Sequence, residues 1–198
     1  MKQTKNFKTH IIAGKYKGKP IEIPSIDTTR SSKSILRESL FNTLQFEVID
    51  KNFFEVFAGS GSVGLEALSR GAKHAYFIEK NKIAFNTLQE NVKNINKNDS
   101  TMLIGDSFEK FTTIYNILKN DHTKTYFYFD PPFSIRENMD DIYKKTIDLI
   151  SSIDKDICEL VIIEHMSDIE LPETIGNVNL LKIKKFGKST LSYYAPRE

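Results

Sequence analysis

Residues 55–67 read EVFAGSGSVGLEA. An apolar run, FFEVFA (53–58), enters a glycine-rich turn. SVGLEALSR (62–70) leaves it, with Leu65 and Leu68 on one helical face. Strand, turn and helix therefore follow one another, and Gly59, Gly61 and Gly64 fit G-x-G-x-x-G between them. Glycines let the chain turn tightly and let backbone N–H groups approach a ligand closely. The context predicts a nucleotide-like ligand held by Glu55, Phe57, Ala58, Gly59, Ser60, Gly61 and Gly64. NAD and S-adenosylmethionine both place a ribose at such a loop. Glu79 stands 15 residues past Gly64 at the end of the next apolar run, where a carboxylate can accept from the ribose hydroxyls of either cofactor.

Outward from this loop, short apolar runs alternate with stretches of helical period. HAYFIE (74–79), TMLIG (101–105), TYFYFD (125–130) and ICELVIIE (157–164) read as strands. KIAFNTLQENVKNI (82–95) has apolar residues at 84, 85, 88, 92 and 95, a helical spacing. SFEKFTTIYNIL (107–118) and the stretch over about 138–151 read as further helices. This rhythm implies an α/β fold with a parallel sheet covered on both faces, binding its ligand at the carboxyl ends of the strands. NLLKIKKF, GK and STLSYYA then read as a closing antiparallel hairpin, unlike a plain dinucleotide-binding fold. At the other end, HIIAGKYKGKPIEIP (10–24) reads as a small hairpin around GKYKGK. A helix is expected to open near Ser31 or Ser32, with Ile35, Leu36, Ser39, Leu40 and Leu44 as its inner stripe. The expected organisation is a basic N-terminal extension, 1–46, packed on a catalytic domain, 47–198.

Three features favour S-adenosylmethionine over NAD. Glu55, inside the first strand of the unit, can meet a cationic amino group, whereas it would repel a pyrophosphate. Asp106, in GDSF beside Ser107, is placed to accept from an adenine amino group or to cap the next helix; Lys80, after Glu79, completes the set. The third is YFYFDPPFS (126–134), an apolar strand ending in a carboxylate clamped by two prolines. An exocyclic amino group on a base is a poor nucleophile because its lone pair is delocalised. Asp130 and a carbonyl of the Asp-Pro-Pro segment are acceptors that can free that lone pair. Pro131 and Pro132 have no N–H to donate, and Phe133 can stack on a base taken out of its helix.

The net charge of +2 hides a pattern. Residues 1–37 carry nine Lys/Arg and two acids, residues 38–181 carry 14 and 23, and residues 182–198 carry five and one. Two basic ends flank an acidic middle, the asymmetry of a polyanion-binding face. One cysteine, Cys158, excludes an internal disulfide framework and fits a reducing cytoplasm; it reads as a buried apolar residue. Four scattered histidines show no metal-ligand spacing, and the start has no secretory pattern.

The chain resembles the RsmD family of bacterial 16S rRNA (guanine-N2)-methyltransferases over nearly its whole length. IIAGKYKGKPIEIP, TTRSSKSILRESLFNTL, EVFAGSGSVGLEALSRGA, FIEKN, GDSF, FDPPF, VIIEH and FGKSTLSYY follow in the family's order. The resemblance implies a class I S-adenosylmethionine-dependent fold with a seven-stranded sheet and an RNA-facing N-terminal extension. It implies a monomer acting without metal in the cytoplasm on the small ribosomal subunit or its assembly intermediate. Asp130, Pro131, Pro132 and Phe133 would form the amino-methylation site. Lys15, Lys17, Lys19, Arg30, Ser32 and Arg37 would line the cleft or meet RNA. The chain departs from the family in Glu55 for Asp, Ser31-Ser32 for Pro-Thr, and Phe133 for Tyr. DNA adenine or cytosine amino methylation uses the same D-P-P-F chemistry and is the alternative activity. An NAD-dependent dehydrogenase would leave D-P-P-F and the final hairpin unexplained, and a non-catalytic RNA-binding module would leave the cofactor loop unexplained.

Overall fold

The computed structural model describes residues 7–24, 31–132 and 139–197; the side chains of residues 31, 32, 139 and 140 lie outside that description. The central sheet has the strand order β5-β4-β3-β6-β7-β10-β9-β8. Strands β3 (Asn52–Glu55), β4 (His74–Glu79), β5 (Ser100–Ile104), β6 (Thr125–Phe129) and β7 (Cys158–Met166) are mutually parallel. The long strands β9 (Val178–Phe186) and β10 (Ser189–Pro196) form the expected closing hairpin, and β10 adds antiparallel to β7. These are the seven strands expected. A two-residue strand, β8 (Thr174–Ile175), extends the edge and is too short to leave a periodic signal.

The strands are apolar on both sides because both faces are covered. TYFYF of β6 is buried throughout. On one face Phe54, Phe127 and Phe129 pack with Phe111, Ile114 and Leu118 of α4 (Ser107–Asp121) and Ile150 of α5 (Met139–Ser151). On the other, Phe53, Tyr126 and Tyr128 pack with Leu36, Leu40 and Phe41 of α1 (Ser31–Leu44) and Val63 and Ala67 of α2 (Ser62–Ser69). The apolar stripe of α3 (Lys82–Ile95) is buried at all five positions read from the sequence.

The stripe of α1 differs from expectation. Ile35 is 57% exposed, while Arg37 and Phe41 turn inward with Leu36, Leu40 and Leu44. Phe41 packs against Phe53 with the rings tilted at 33° and their centroids 5.9 Å apart. Arg37 is drawn inside by a polar junction described below.

The N-terminal hairpin begins earlier than GKYKGK suggested. Strand β1 (Phe7–His10) pairs with β2 (Pro20–Ile23), from Phe7↔Ile23 to His10↔Pro20, and the basic segment is the turn between them. The turn is pinned to α2. Ile12 N and Ala13 N donate to the Glu66 carboxylate at 2.8 and 3.0 Å, and Lys15 N donates to Ser69 O at 2.7 Å. Gly14 is required there: at φ +86°, a Cβ would stand 1.8 Å from Ser69 O.

Candidate active site at the strand carboxyl ends

Sheet order reverses between β3 and β6, the place where open α/β sheets open a crevice. FFEVFA does not run as a strand to its end. The strand stops at Glu55, and single bonds, Val56 N to Tyr128 O (3.0 Å) and Ala58 N to Ile78 O (2.9 Å), carry the chain into the glycine loop. Gly59 has φ +54°, and no atom lies within 4 Å of where its Cβ would stand, so the loop presents bare backbone to open space. Gly64 serves packing instead: its Cβ would meet the Phe77 ring at 2.4 Å.

A cleft of about 650 Å³ lies over these strand ends. Its lining includes Phe57, Gly59, Glu79, Lys80, Asp106, Ser107, Asp130, Pro131 and Pro132, which the sequence singled out from four separate strand ends. Glu79 accepts from Gly59 N at 2.8 Å and from Asn81 N at 2.6 Å, so it braces the loop it faces. Asp106 caps α4 through Phe108 N at 2.9 Å and pairs with Lys80 at 2.8 Å. The Lys80 hydrogen bond holds the Asp106 carboxyl below its usual range. Ser107 Oγ donates to Val56 O at 2.6 Å and ties α4 to the end of β3. Ala58, Ser60 and Gly61 shape the loop from within; Ala58 and Ser60 are buried.

Behind Asp130 lies a second, deeper cavity of about 290 Å³, which shares Lys33, Phe57, Gly59 and Asp130 with the cleft. Its walls bring in Arg37, Glu55, Tyr128 and Glu164. Glu55 accepts from Gly64 N at 2.8 Å, and burial pushes its carboxyl up to about 8. Tyr128 Oη donates to Glu164 Oε2 at 2.6 Å, and burial pushes that phenol well above its usual value. Lys33 Nζ lies 3.1 Å from Asp130 Oδ2.

Arg37 lines this cavity but has no surface for an RNA backbone. It is 4% exposed and donates to His10 O at 2.8 Å and Thr9 Oγ1 at 3.2 Å, with Glu66 at 3.8 Å. Of the two roles expected of it, it lines the cavity, while contact with RNA phosphate is corrected: His10 O, Thr9 Oγ1 and the Glu66 carboxylate, not solvent, hold its guanidinium. Lys15, Lys17 and Lys19 are exposed on the hairpin turn, with Lys15 and Lys19 ammonium groups 5.3 and 5.0 Å from the Tyr16 ring centroid. Arg30, Phe133 and the Ser32 side chain lie outside the described residues.

Lys33, Glu66, Tyr128 and Glu164 were not read from the sequence. Glu164 carried a usable signal, an acid closing a buried strand, which is the signal that marked Asp130. Lys33 carried none, being one lysine among 23. Cys158 is free and buried, as read. Among the described residues, no group of three or more His, Cys, Asp or Glu is arranged to hold a metal ion, and no helix is long and apolar enough to cross a membrane.

Comparison with known proteins agrees with this architecture. The family described as "Conserved hypothetical protein 95" matches residues 9–195. Ribosomal RNA small subunit methyltransferase D of Buchnera aphidicola (strain APS) is 32% identical over 150 residues, 75% of this chain and 72% of that protein. The Escherichia coli K12 protein of the same name is 30% identical over 126 residues, 62% of this chain and 59% of that one. The solved structure of yhhF from Escherichia coli superposes with a TM-score of 0.73 at 26% identity, covering 96% of this chain and 99% of that one. The match over nearly the whole length, on an α/β methyltransferase fold, establishes that the chain belongs to the RsmD family of methyltransferases.

Proposed function

We propose that this protein methylates the exocyclic N2 amino group of a guanine in 16S rRNA, using S-adenosylmethionine. The observation that carries the reading is the position of Asp130 in the wall shared by the two cavities. A donor lying in the outer cleft, with its methionine end reaching Glu55 in the inner cavity, would meet a base there at the Asp130 carboxylate. The names of the Buchnera and Escherichia relatives support ribosomal RNA of the small subunit as the substrate class.

The residues present fit the cofactor. Open backbone at Gly59 leaves room for its close approach, and the buried Glu55 carboxyl, protonated in the free protein, can ionise to meet a bound cation. Glu55 would take the amino group of the methionine part, Glu79 the ribose and Asp106 the adenine. When bound, S-adenosylmethionine supplies an electrophilic methyl carbon, which the base nitrogen takes as the carbon–sulfur bond breaks and leaves a thioether. Asp130 and the adjoining carbonyl accept the two N–H bonds of the amino group, so its lone pair turns toward the donor. The proton released on transfer passes to Asp130 and on to water. Positioning supplies most of the rate, since the two reactants are held in line. Pro131 and Pro132 fix the segment that does this, and Phe133 would stack on the base.

In this reading residues 1–46 form the RNA-facing extension and residues 47–198 the catalytic domain. Lys15, Lys17 and Lys19 meet phosphate, which orients the substrate without reading its sequence. The protein works as a monomer in the cytoplasm on the subunit or an assembly intermediate.

The test is methyl transfer from labelled S-adenosylmethionine to small subunits from cells lacking this gene, followed by nucleoside analysis. N2-methylguanosine is the expected product. Label in N6-methyladenosine, or label that appears only with DNA, would overturn the base and substrate while leaving the fold intact.

A further inference from the structure

Two carboxylates stand at one level on neighbouring strands, Asp130 just past the end of β6 and Glu164 within β7. The ladder between β6 and β7 runs in register through Phe129↔Ile163, so the next residues on each strand, Asp130 and Glu164, follow side by side and line the inner cavity together. Glu164 is 3% exposed. Burying a carboxylate is unfavourable unless its lone pairs are used. Tyr128 orients it by donating to Oε2. A carboxylate accepts at about four sites, and Tyr128 takes one of them.

The two acids match one edge of one base. Guanine presents its 2-amino group beside N1–H, two adjacent donors. Adenine and cytosine present an amino group beside a ring nitrogen that carries a lone pair. That lone pair would face the Glu164 carboxylate at close range, which is repulsive. A site built to hydrogen-bond a donor rejects an analogue lacking it far more strongly than an apolar pocket rejects a change of size.

We infer that Glu164 is the specificity-determining residue of this site: it accepts the N1–H of the target guanine while Asp130 accepts its amino group. The inference rests on the guanine-N2 reading above. Tyr128 is the positioning residue that fixes the Glu164 carboxylate plane.

The experiment compares wild type with Glu164→Gln on small-subunit particles assembled in vitro with either guanine or 2-aminopurine at the mapped position. 2-Aminopurine keeps the 2-amino group but has a lone pair at N1. Wild type is expected to prefer guanine by about a hundredfold or more in kcat/KM. The Gln amide, with Tyr128 holding its oxygen, presents N–H to the base. Glu164→Gln should therefore lose at least about thirtyfold on guanine and gain on 2-aminopurine, narrowing or reversing the ratio. S-adenosylmethionine affinity and the unfolding midpoint, measured alongside, should stay within about twofold and about 2 °C of wild type. A fall on both substrates by the same factor, or an unchanged ratio, would assign Glu164 a structural role and overturn the inference alone. Wild type that methylates neither base would overturn the guanine reading itself.

Discussion

Lys33 Nζ stands 3.1 Å from Asp130 Oδ2, joining the first turns of α1 to the carboxylate at the end of β6. The Lys33 side chain is 41% exposed and that of Asp130 16%. A pair this open is worth roughly 0–1 kcal/mol, so it can yield to a substrate amino group that needs the same oxygen. Asp130→Ala is expected to abolish transfer and leave S-adenosylmethionine affinity within about threefold. Lys33→Met is expected to keep kcat at saturating substrate within about threefold, because the lysine has left Asp130 when the base is seated. Single-turnover assays with titrated cofactor separate the two. An inactive Lys33→Met protein with normal cofactor affinity would place the lysine in the chemistry.

Glu55 predicts the pH dependence of cofactor binding. Its carboxyl is raised from an ordinary value of 4.5 to about 8 by burial. Between those values the free protein holds a proton that the unfolded chain does not, so this group's contribution to stability falls as pH rises through that window. A cationic amino group bound beside Glu55 favours the ionised form and expels the proton. Affinity for S-adenosylmethionine should therefore increase with pH, by up to about tenfold per unit, and level off above about 8. Calorimetry in buffers of different ionisation enthalpy should show proton release near pH 7, and Glu55→Gln should remove it. Equal enthalpies across buffers would mean Glu55 does not meet the cation.

Glu66 holds the N-terminal hairpin, α1 and α2 at one buried point. It accepts from Ile12 N and Ala13 N, pairs with Arg70 at 2.8 Å and lies 3.8 Å from Arg37. Glu66→Ala leaves Arg37 buried without its counter-charge and should lower stability by about 3–5 kcal/mol. Glu66→Gln, which keeps an acceptor for one backbone N–H, should lose less. Urea unfolding measures both, and a loss under about 1 kcal/mol for the alanine variant would show that apolar packing alone seats the hairpin.

The hairpin turn predicts the salt dependence of RNA binding. Exchanging Lys15, Lys17 and Lys19 together for Glu should weaken binding to small subunits and flatten the slope of log K against log salt, by about 0.7–0.9 for each phosphate no longer neutralised. Cofactor affinity should not move, because these residues line neither cavity. An unchanged slope would assign the RNA face to another surface.

The order of strands and helices, the glycine loop and the acids at the ends of β4 and β6 were legible in the sequence. Each is a local event: a run of apolar residues, a change of period, a residue type that only a turn or a strand end accommodates. Their meeting in one cleft followed from parallel topology, which places every strand's carboxyl end on the same side. What the sequence could not yield was partnership across the fold. Arg37 and Glu66 are 29 residues apart in the chain, and Lys33 and Asp130 are 97 apart. Whether Arg37 meets solvent or a buried carboxylate depends on how α1 rotates against α2, and Phe41 packing on Phe53 fixes that rotation. Glu164 gains its place beside Asp130 only through the register of β6 on β7. Residue types and local period determined the elements of this protein. The tertiary structure alone decided which charges face each other, because a charge takes its role from neighbours that chain order does not specify.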